Sequence, residues 1–231
     1  LRENLNGNFL SLLFNSFALA SLASLCCLII AIFLAYTKRV FNSRLELGAV
    51  GVASLGYAVP GTVIAVGVLI PIAWLDNQID FLSKAWFNYP TGLLLSGTIG
   101  ILVFAYVIRF LSVALNTVDS GLTDIKPSID ESARSLGATP ARVLSRVHLP
   151  ILRTSLLTAL LLVFVEVLKE LPTTLILRPF NFNTLAVRTY ELASDERLID
   201  AALPALAIVI IGLLPVLLIT KSILNERSTN E

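Results

Sequence analysis

The chain has 231 residues, of which 56% are hydrophobic and only 14% are charged, and its mean hydropathy is +0.83. A soluble domain of this size is roughly half apolar and a quarter charged. This composition excludes an ordinary soluble domain, and the formal net charge of +1 does not indicate nucleic-acid binding. The apolar residues fall in blocks of about 20 or more, the length that crosses a bilayer core as a helix. We therefore expect an all-α membrane protein whose residues 1–231 form a single transmembrane domain.

Five apolar segments are long enough to be membrane spans. In chain order they cover about residues 9–36, 47–74, 91–118, 151–168 and 201–219. Pro60 interrupts the second segment, and Pro204 and Pro215 interrupt the fifth. Proline inside a span removes a backbone hydrogen bond and bends the helix. The sequence therefore predicts about five transmembrane helices, two of them bent.

Basic residues in the loops predict how these spans are oriented. Three segments carry most of the loop lysines and arginines: Lys38, Arg39 and Arg44; Lys126, Arg134, Arg142 and Arg146; and Lys221 and Arg227. By the positive-inside rule these segments are cytoplasmic and the amino end is outside. Because the chain contains no methionine and begins with leucine, we expect a fragment or second half of a longer membrane chain, with at least one further span before residue 1.

Residues 128–150, SIDESARSLGATPARVLSRVHLP, form a basic segment between two apolar blocks. Ser128 and Glu131 have the spacing of a capping box, which predicts that a helix starts at Ser128. Gly137 predicts the left-handed turn that ends this helix, and Thr139 with the following proline predicts the start of a second helix. Physical reasoning leaves two roles open for such a helix pair on the cytoplasmic side. It is either a docking site for another protein or an amphipathic linker that rests on lipid headgroups.

The same segment resembles the EAA loop of the permeases of binding-protein-dependent ABC transporters. That pattern is EAA, three residues, glycine, nine residues, isoleucine, one residue, and LP. The matching positions here are Glu131, Ser132, Ala133, Gly137, Val147, Leu149 and Pro150. Every spacing fits, and only Ser132 and Val147 depart from the pattern. The resemblance implies the transmembrane domain of a type I importer, in which this loop is the coupling helix that sits in a groove of the ATP-binding cassette subunit. Glu131 would pair with a basic residue of that subunit, complete the capping box, or do both.

Two further stretches, KELPTTLILRPFNFNTLAVR and GYAVPGTVIAVGVLI, resemble permeases of the ferric iron uptake branch of this family. Many of those are long chains with two fused halves, and this chain resembles the second half. The resemblance implies a multi-pass subunit of the bacterial inner membrane that imports ferric iron by alternating access. It has no cofactor of its own, since ATP is bound by the partner. Importers of thiamine, polyamines, sulfate or phosphonates remain alternatives.

The same resemblance implies a set of partners. They are the ATP-binding cassette subunit, a periplasmic substrate-binding protein, a second permease half or homodimer mate, and membrane lipid, but not nucleic acid. The binding protein is expected to dock on the outer loops, around residues 76–90 and 177–200. No set of histidine and carboxylate ligands for a metal is visible in the sequence.

A second group of charges lies at the end of the fourth apolar segment. Glu166, Lys169 and Glu170 have the spacing of one helical face, and ionisable groups at membrane depth face a protein interior or a watery cavity. Two interpretations remain. This is either a helix end that reaches the outer headgroups, with Pro172 ending the helix, or a polar element of a translocation path or its outer gate. His148 stands alone beside the membrane, which favours a structural or interface role over a ligand or proton-relay role.

Two other classes of function compete with transport driven by a partner. An intramembrane enzyme would need a catalytic set, and the motifs HExxH and G-x-S-x-G are absent from the sequence. A passive channel or a membrane scaffold needs no catalytic motif, but neither predicts an EAA loop at the correct spacing. Dependence of transport on an ATPase partner distinguishes the importer from both.

Overall fold

A computed structural model describes residues 8–41 and 44–229, and these ranges contain helices and connecting turns but no strand. The helices are α1 Asn8–Phe41, α2 Arg44–Leu55, α3 Gly61–Phe87, α4 Ile99–Thr123, α5 Pro127–Ser135, α6 Pro140–Ile151, α7 Arg153–Leu168, α8 Pro172–Leu177, α9 Leu185–Ser194 and α10 Leu198–Thr229. The prediction of an all-α membrane protein is confirmed.

Within the described residues, three helices are long and apolar enough to cross a membrane. They are α1 from Phe9 onward, α3 and α4. The pair α6 and α7 would add a fourth, but the two helices meet at an angle of 77°. Of the fifth predicted span, the described apolar stretch is Leu198–Leu213, and the side chain of Pro215 lies outside the described part, as do those of Arg44, Lys221 and Arg227.

The second predicted span, 47–74, is wrong as a single helix. Helix α2 ends at Leu55, a 3-10 turn covers Gly56–Ala58, and α3 begins only after Pro60. A proline forces the preceding residue away from helical geometry, and Val59 is accordingly extended, with φ −84° and ψ 134°. Pro60 therefore separates two helices instead of bending one.

The boundary of the second span at residue 74 is also wrong, because α3 continues to Phe87. Most of the predicted outer loop 76–90 is therefore helical. Asp76 accepts hydrogen bonds from the backbone amides of Leu94, Leu95 and Ser96, and Asp80 accepts them from those of residues 91 and 92. These carboxylates hold the chain between α3 and α4 against the extended end of α3.

The core forms where α1 packs against α4 and α7. One face of α1 consists of small residues at helical spacing, each at most 1% exposed: Ala20, Ala23, Cys27, Ala31 and Ala35. Small side chains let helix backbones approach closely inside a membrane. The opposite face carries exposed Phe14, Leu25 and Phe33, as expected of a surface that contacts lipid acyl chains.

Contacts at the two ends of α1 show which loops share a side of the bundle. Near its start, Asn15 donates to the carbonyl of Asn183 at 3.1 Å and Ser16 accepts from the amide of Leu185 at 2.8 Å. Near its other end, Lys38 forms an ion pair with Asp119 at 2.7 Å. The loops after α1 and α4 therefore lie at one end and the α8–α9 region at the other, which agrees with the predicted alternation. That the first of these ends is cytoplasmic stays a prediction.

We expect Gly56→Ala to destabilise the fold by at least about 1–3 kcal/mol, the usual cost of overpacking. A Cβ on Gly56 would lie 1.8 Å from the main-chain oxygen of Ile108, and a backbone atom cannot turn aside as a flexible side chain can. Gly67→Ala is the matched control, since a Cβ there meets nothing within 4 Å and alanine favours a helix. Thermal unfolding of the protein in detergent measures both changes. Equal midpoints would contradict the close contact between this turn and α4.

Candidate functional site

The two helices of the predicted coupling segment, α5 and α6, are joined by the turn predicted at Gly137. Gly137 has φ +79°, in the left-handed region. Its amide donates to the carbonyl of Arg134 at 2.9 Å, and the amide of Ala138 donates to that of Ala133 at 3.1 Å. This pair of hydrogen bonds is a Schellman motif, which ends a helix and strongly favours glycine at the left-handed position.

The helix starts around this turn differ in part from the prediction. Helix α5 begins at Pro127 after Lys126, and no side chain caps it, so Ser128 lies inside the helix and the capping box is wrong. Proline is favoured at the first helical position, because its fixed φ suits a helix and its missing amide would have no partner inside the helix. Thr139 is the N-cap residue of α6 as predicted, although its side chain makes no cap hydrogen bond. Helix α6 continues through Leu149 and Pro150, which therefore do not lie in a connecting segment.

The predicted coupling residues divide into an exposed tip and a half-buried base. Glu131, Ser132, Gly137 and Pro150 are exposed, whereas Ala133, Val147 and Leu149 are half-buried. Beside Gly137, the side chain of Leu136 is 89% exposed. The structure thus presents an exposed apolar side chain at the end of α5 and an exposed glutamate earlier on the same helix. A pairing of Glu131 with the ATP-binding subunit stays a prediction.

A cluster of buried polar side chains, missed by the sequence analysis, attaches this loop to the bundle. Arg39 donates through Nε to Asp130 at 2.8 Å, and Nε2 of His148 lies 2.5 Å from the other oxygen of that carboxylate. The hydroxyl of Tyr36 donates to the carbonyl of Pro140 at 2.7 Å. We call Tyr36, Arg39, Asp130 and His148 the loop anchor. The sequence showed Arg39 only as a loop charge and His148 as isolated, because their partners lie far away along the chain.

The charge state of Asp130 follows from opposing effects. Burial raises the pKa of its carboxyl group, but the hydrogen bonds from Arg39 and His148 outweigh burial, so the net pKa lies below its ordinary value. Asp130 is therefore ionised at neutral pH. Since the folded-state pKa is the lower one, this contribution to stability is present above the ordinary pKa of an aspartate and is lost as the pH falls through the folded-state value.

A second buried cluster surrounds Glu170, which is 7% exposed. Its Oε1 accepts from the hydroxyl and the amide of Thr173 at 2.7 and 3.2 Å, and its Oε2 forms an ion pair with Nε of Arg109 at 3.4 Å. Arg109 in turn donates to the carbonyl of Val59, at the break between α2 and α3, at 3.1 Å. We call Val59, Gly61, Arg109, Glu170 and Thr173 the polar junction.

Gly61 allows the parts of the polar junction to approach one another. A Cβ at this position would lie 2.6 Å from Oε1 of Glu170 and from the hydroxyl of Thr173, and 2.7 Å from Nη1 of Arg109. The sequence analysis missed Arg109, although an arginine inside a predicted span is itself a signal of a functional or paired charge.

The three charges predicted to share one face do not share one environment. Glu166 and Lys169 form an ion pair at 2.8 Å with side chains 24% and 57% exposed, whereas Glu170 points inward to Arg109. Helix α7 already ends at Leu168, and Pro172 begins α8, so this proline starts a helix instead of ending one. Whether any of these residues lines a translocation path stays a prediction. Among the described residues, no cluster of three or more His, Cys, Asp or Glu could hold a metal ion.

Comparison with known sequences identifies relatives along nearly the whole chain. The family model described as binding-protein-dependent transport system inner membrane component matches residues 27–227. The Fe(3+)-transport system permease protein FbpB 2 of Haemophilus influenzae is 29% identical over 213 residues, which cover 92% of this chain but 39% of that protein. The putative 2-aminoethylphosphonate transport system permease protein PhnV of Salmonella typhimurium is 26% identical over 210 residues, which cover 91% and 73%. The chain thus spans less than half the length of FbpB 2.

Comparison with solved structures supports the fold independently. The crystal structure of a bacterial ABC transporter involved in the import of the acidic polysaccharide alginate superimposes with a TM-score of 0.75 at 16% identity. The match covers 94% of this chain and 79% of that one. The predicted fold class is confirmed, and at this identity the likeness extends to the fold alone.

Proposed function

The chain belongs to the family of binding-protein-dependent transport system inner membrane components, and from this premise we propose that it is one transmembrane half of an ATP-driven importer in a bacterial inner membrane. A periplasmic binding protein delivers the solute, which crosses by alternating access. A partner subunit binds and hydrolyses ATP, so this chain carries no ATP site. A second permease half, fused or separate, or a second copy of the chain completes the pathway.

The observation that carries this proposal is the exposed, glycine-joined pair α5 and α6. The membrane chain needs a rigid surface on which an ATPase can dock. A Schellman turn fixes the angle between two short helices without a large core. The exposed Leu136 at the end of α5 offers an apolar contact, and Glu131 on the same helix is an exposed charge. Apolar anchors within a polar rim are typical of protein interfaces. In this proposal Glu131, Ser132, Ala133, Gly137, Val147, Leu149 and Pro150 form the coupling surface.

We propose ferric iron as the solute. FbpB 2 is described as an Fe(3+)-transport permease, and this chain carries stretches that resemble that branch around Pro60 and Glu170. These two stretches meet in the polar junction, where Arg109 links the carbonyl of Val59 to Glu170. Carboxylate oxygens are ligands that suit a hard cation. Glu166, Lys169 and Glu170 belong, in this proposal, to the translocation path or its outer gate.

A phosphonate is the second candidate solute, because this chain covers nearly three quarters of PhnV. Arg109, with a permanent positive charge in the polar junction, suits an anion as well as it suits Glu170. The two candidates differ in the sign of charge that the path must tolerate.

The binding protein is proposed to dock at the end opposite the coupling loop. The extended end of α3 exposes the aromatic side chains of Trp86 and Phe87, and the α8–α9 connection exposes that of Phe180. Large aromatic residues contribute much of the energy of protein interfaces. These positions fall within the two outer segments, around residues 76–90 and 177–200.

Uptake of radiolabelled ferric iron tests the proposal. Vesicles hold the full-length permease, its ATPase and its binding protein, and ATP is supplied on the ATPase side. We expect iron to accumulate only with ATP and the loaded binding protein. ATP-independent uptake would favour a passive channel. ATPase stimulation by a binding protein loaded with 2-aminoethylphosphonate, without iron uptake, would keep the importer and replace the solute.

A further inference from the structure

The coupling loop, which consists of α5 and α6, has two physical connections to the helical bundle. One runs through the main chain and the other through side chains. Through the chain, α6 contains the π-helical turn Leu144–His148 and then meets α7 at an angle of 77°. A π turn interrupts the regular hydrogen bonds of an α-helix, and a sharp bend separates the two segments mechanically. The covalent connection therefore transmits a movement of the loop poorly to the bundle.

The side-chain connection runs through the loop anchor to α1. Arg39 uses all three guanidinium nitrogens: Nε on Asp130 at 2.8 Å, Nη2 on the carbonyl of Ile125 at 2.8 Å, and Nη1 on the carbonyl of Leu122. The side chains of Arg39 and Asp130 are only 16% and 15% exposed. Charge-assisted hydrogen bonds of a planar guanidinium are strong and fixed in direction. They hold the end of α1, the end of α4 and α5 in one arrangement.

His148 extends this arrangement to the second helix of the loop. It is fully buried, and its Nε2 lies 2.5 Å from Oδ1 of Asp130, 18 positions earlier in the chain. Tyr36, one turn before Arg39 on α1, binds the carbonyl of Pro140 at the start of α6. Both helices of the loop are therefore attached to the end of α1, and the carboxylate of Asp130 is the group that α1, α5 and α6 share.

We propose that Asp130 and His148 are positioning residues that pass a displacement of the coupling loop to α1. The inference rests on the proposed function, since the displacement comes from an ATPase that holds the loop. The small-residue face of α1 packs in the core against α4 and α7, so a displaced α1 carries the movement to the centre of the bundle. The conversion of ATP hydrolysis into transport then depends on an ion-pair cluster that lies between the coupling surface and α1 and shares no residue with the polar junction.

The test measures solute moved per ATP hydrolysed, a ratio that a merely structural defect does not change. Full-length permease variants Asp130→Asn and His148→Leu are reconstituted with the ATPase and the binding protein, and radiolabelled ferric iron uptake and ATP hydrolysis are measured on the same vesicles. We expect the ratio to fall about tenfold in each variant, the size expected for losing one hydrogen bond to a charged group. His148→Gln, whose amide can donate to Asp130 in place of Nε2, is expected to restore most of the ratio.

Lys38→Ala is the matched control. Lys38 lies beside Arg39 and forms its own ion pair with Asp119, whose side chains are 29% and 31% exposed, and this pair links α1 to α4. Its ratio is expected to stay at the level of the unmodified transporter. An unchanged ratio in Asp130→Asn and His148→Leu would overturn the inference, whether uptake and hydrolysis fall in proportion or both stay at the level of the unmodified transporter. Absence of ATP-driven uptake of either candidate solute by the unmodified transporter would contradict the proposed function and this inference with it.

Discussion

Gly137→Arg is expected to reduce uptake to background while the permease still folds and inserts. Residue 137 has φ +79°, and a residue with a Cβ loses roughly 1–2 kcal/mol in the left-handed region. A Cβ there meets no atom within 4 Å, so the new side chain disturbs the turn and the surface but not the packed core. The angle between α5 and α6 changes, and a bulky cation lies beside the exposed tip that the ATPase is proposed to hold.

Uptake and co-purification of the ATPase with the permease check this prediction together. Gly137→Asn is the matched control, because asparagine tolerates the left-handed conformation better than other residues with a Cβ. We expect it to keep much of the uptake and of the bound ATPase. Full uptake by Gly137→Arg would overturn the assignment of this turn to the coupling surface.

Glu170→Ala is expected to have the largest effect outside the coupling loop. It removes the carboxylate that neutralises Arg109 in the polar junction and takes away the nearer of the two acceptors of the Thr173 hydroxyl. Removing one partner of a buried ion pair leaves an uncompensated charge, which typically costs about 3–5 kcal/mol. We expect uptake to fall more than ATPase docking does, because the loop anchor and the exposed tip do not depend on this cluster.

Glu166→Ala supplies the comparison for this result. Glu166 pairs with Lys169 at the surface where α7 ends, and exposed pairs contribute about 0–1 kcal/mol. Thermal unfolding of both variants in detergent, together with uptake and co-purification of the ATPase, separates stability from transport. Equal loss of uptake and docking in Glu170→Ala would favour a purely structural role for this buried pair.

Local rules predicted the features that short stretches of chain determine. The turn at Gly137 follows from the freedom of glycine to adopt a left-handed conformation. The interruption at Pro60 was predicted too, but as a bend in one span and not as a break between two helices. The capping box at Ser128 is wrong because Pro127 takes the first helical position, which places Ser128 inside the helix and not at its N-cap. The extension of α3 to Phe87 was missed, since hydropathy falls after residue 74 although Asp76 and Asp80 turn inward to bind backbone amides.

Contacts between distant residues account for what the sequence could not provide. Asp130 contacts Arg39 across 91 positions. Arg109 contacts both Val59, which lies earlier in the chain, and Glu170, which lies later. No periodicity or spacing within a single helix specifies such pairs, which depend on how α1, α4 and the broken second span pack. The charges were visible in the sequence, but their partners were not.

The alanine-rich face of α1 has a mechanical consequence. Side chains such as Ala23 and Ala31 have no rotamers to rearrange, so a displacement of α1 along its axis against α4 meets less interdigitation on this face than it would on a face of bulky side chains. Shear between packed helices is one of the ways in which proteins convert small displacements into changes of state. A bulky substitution on this face, such as Ala31→Leu, would oppose that displacement even where every polar contact of the protein is intact.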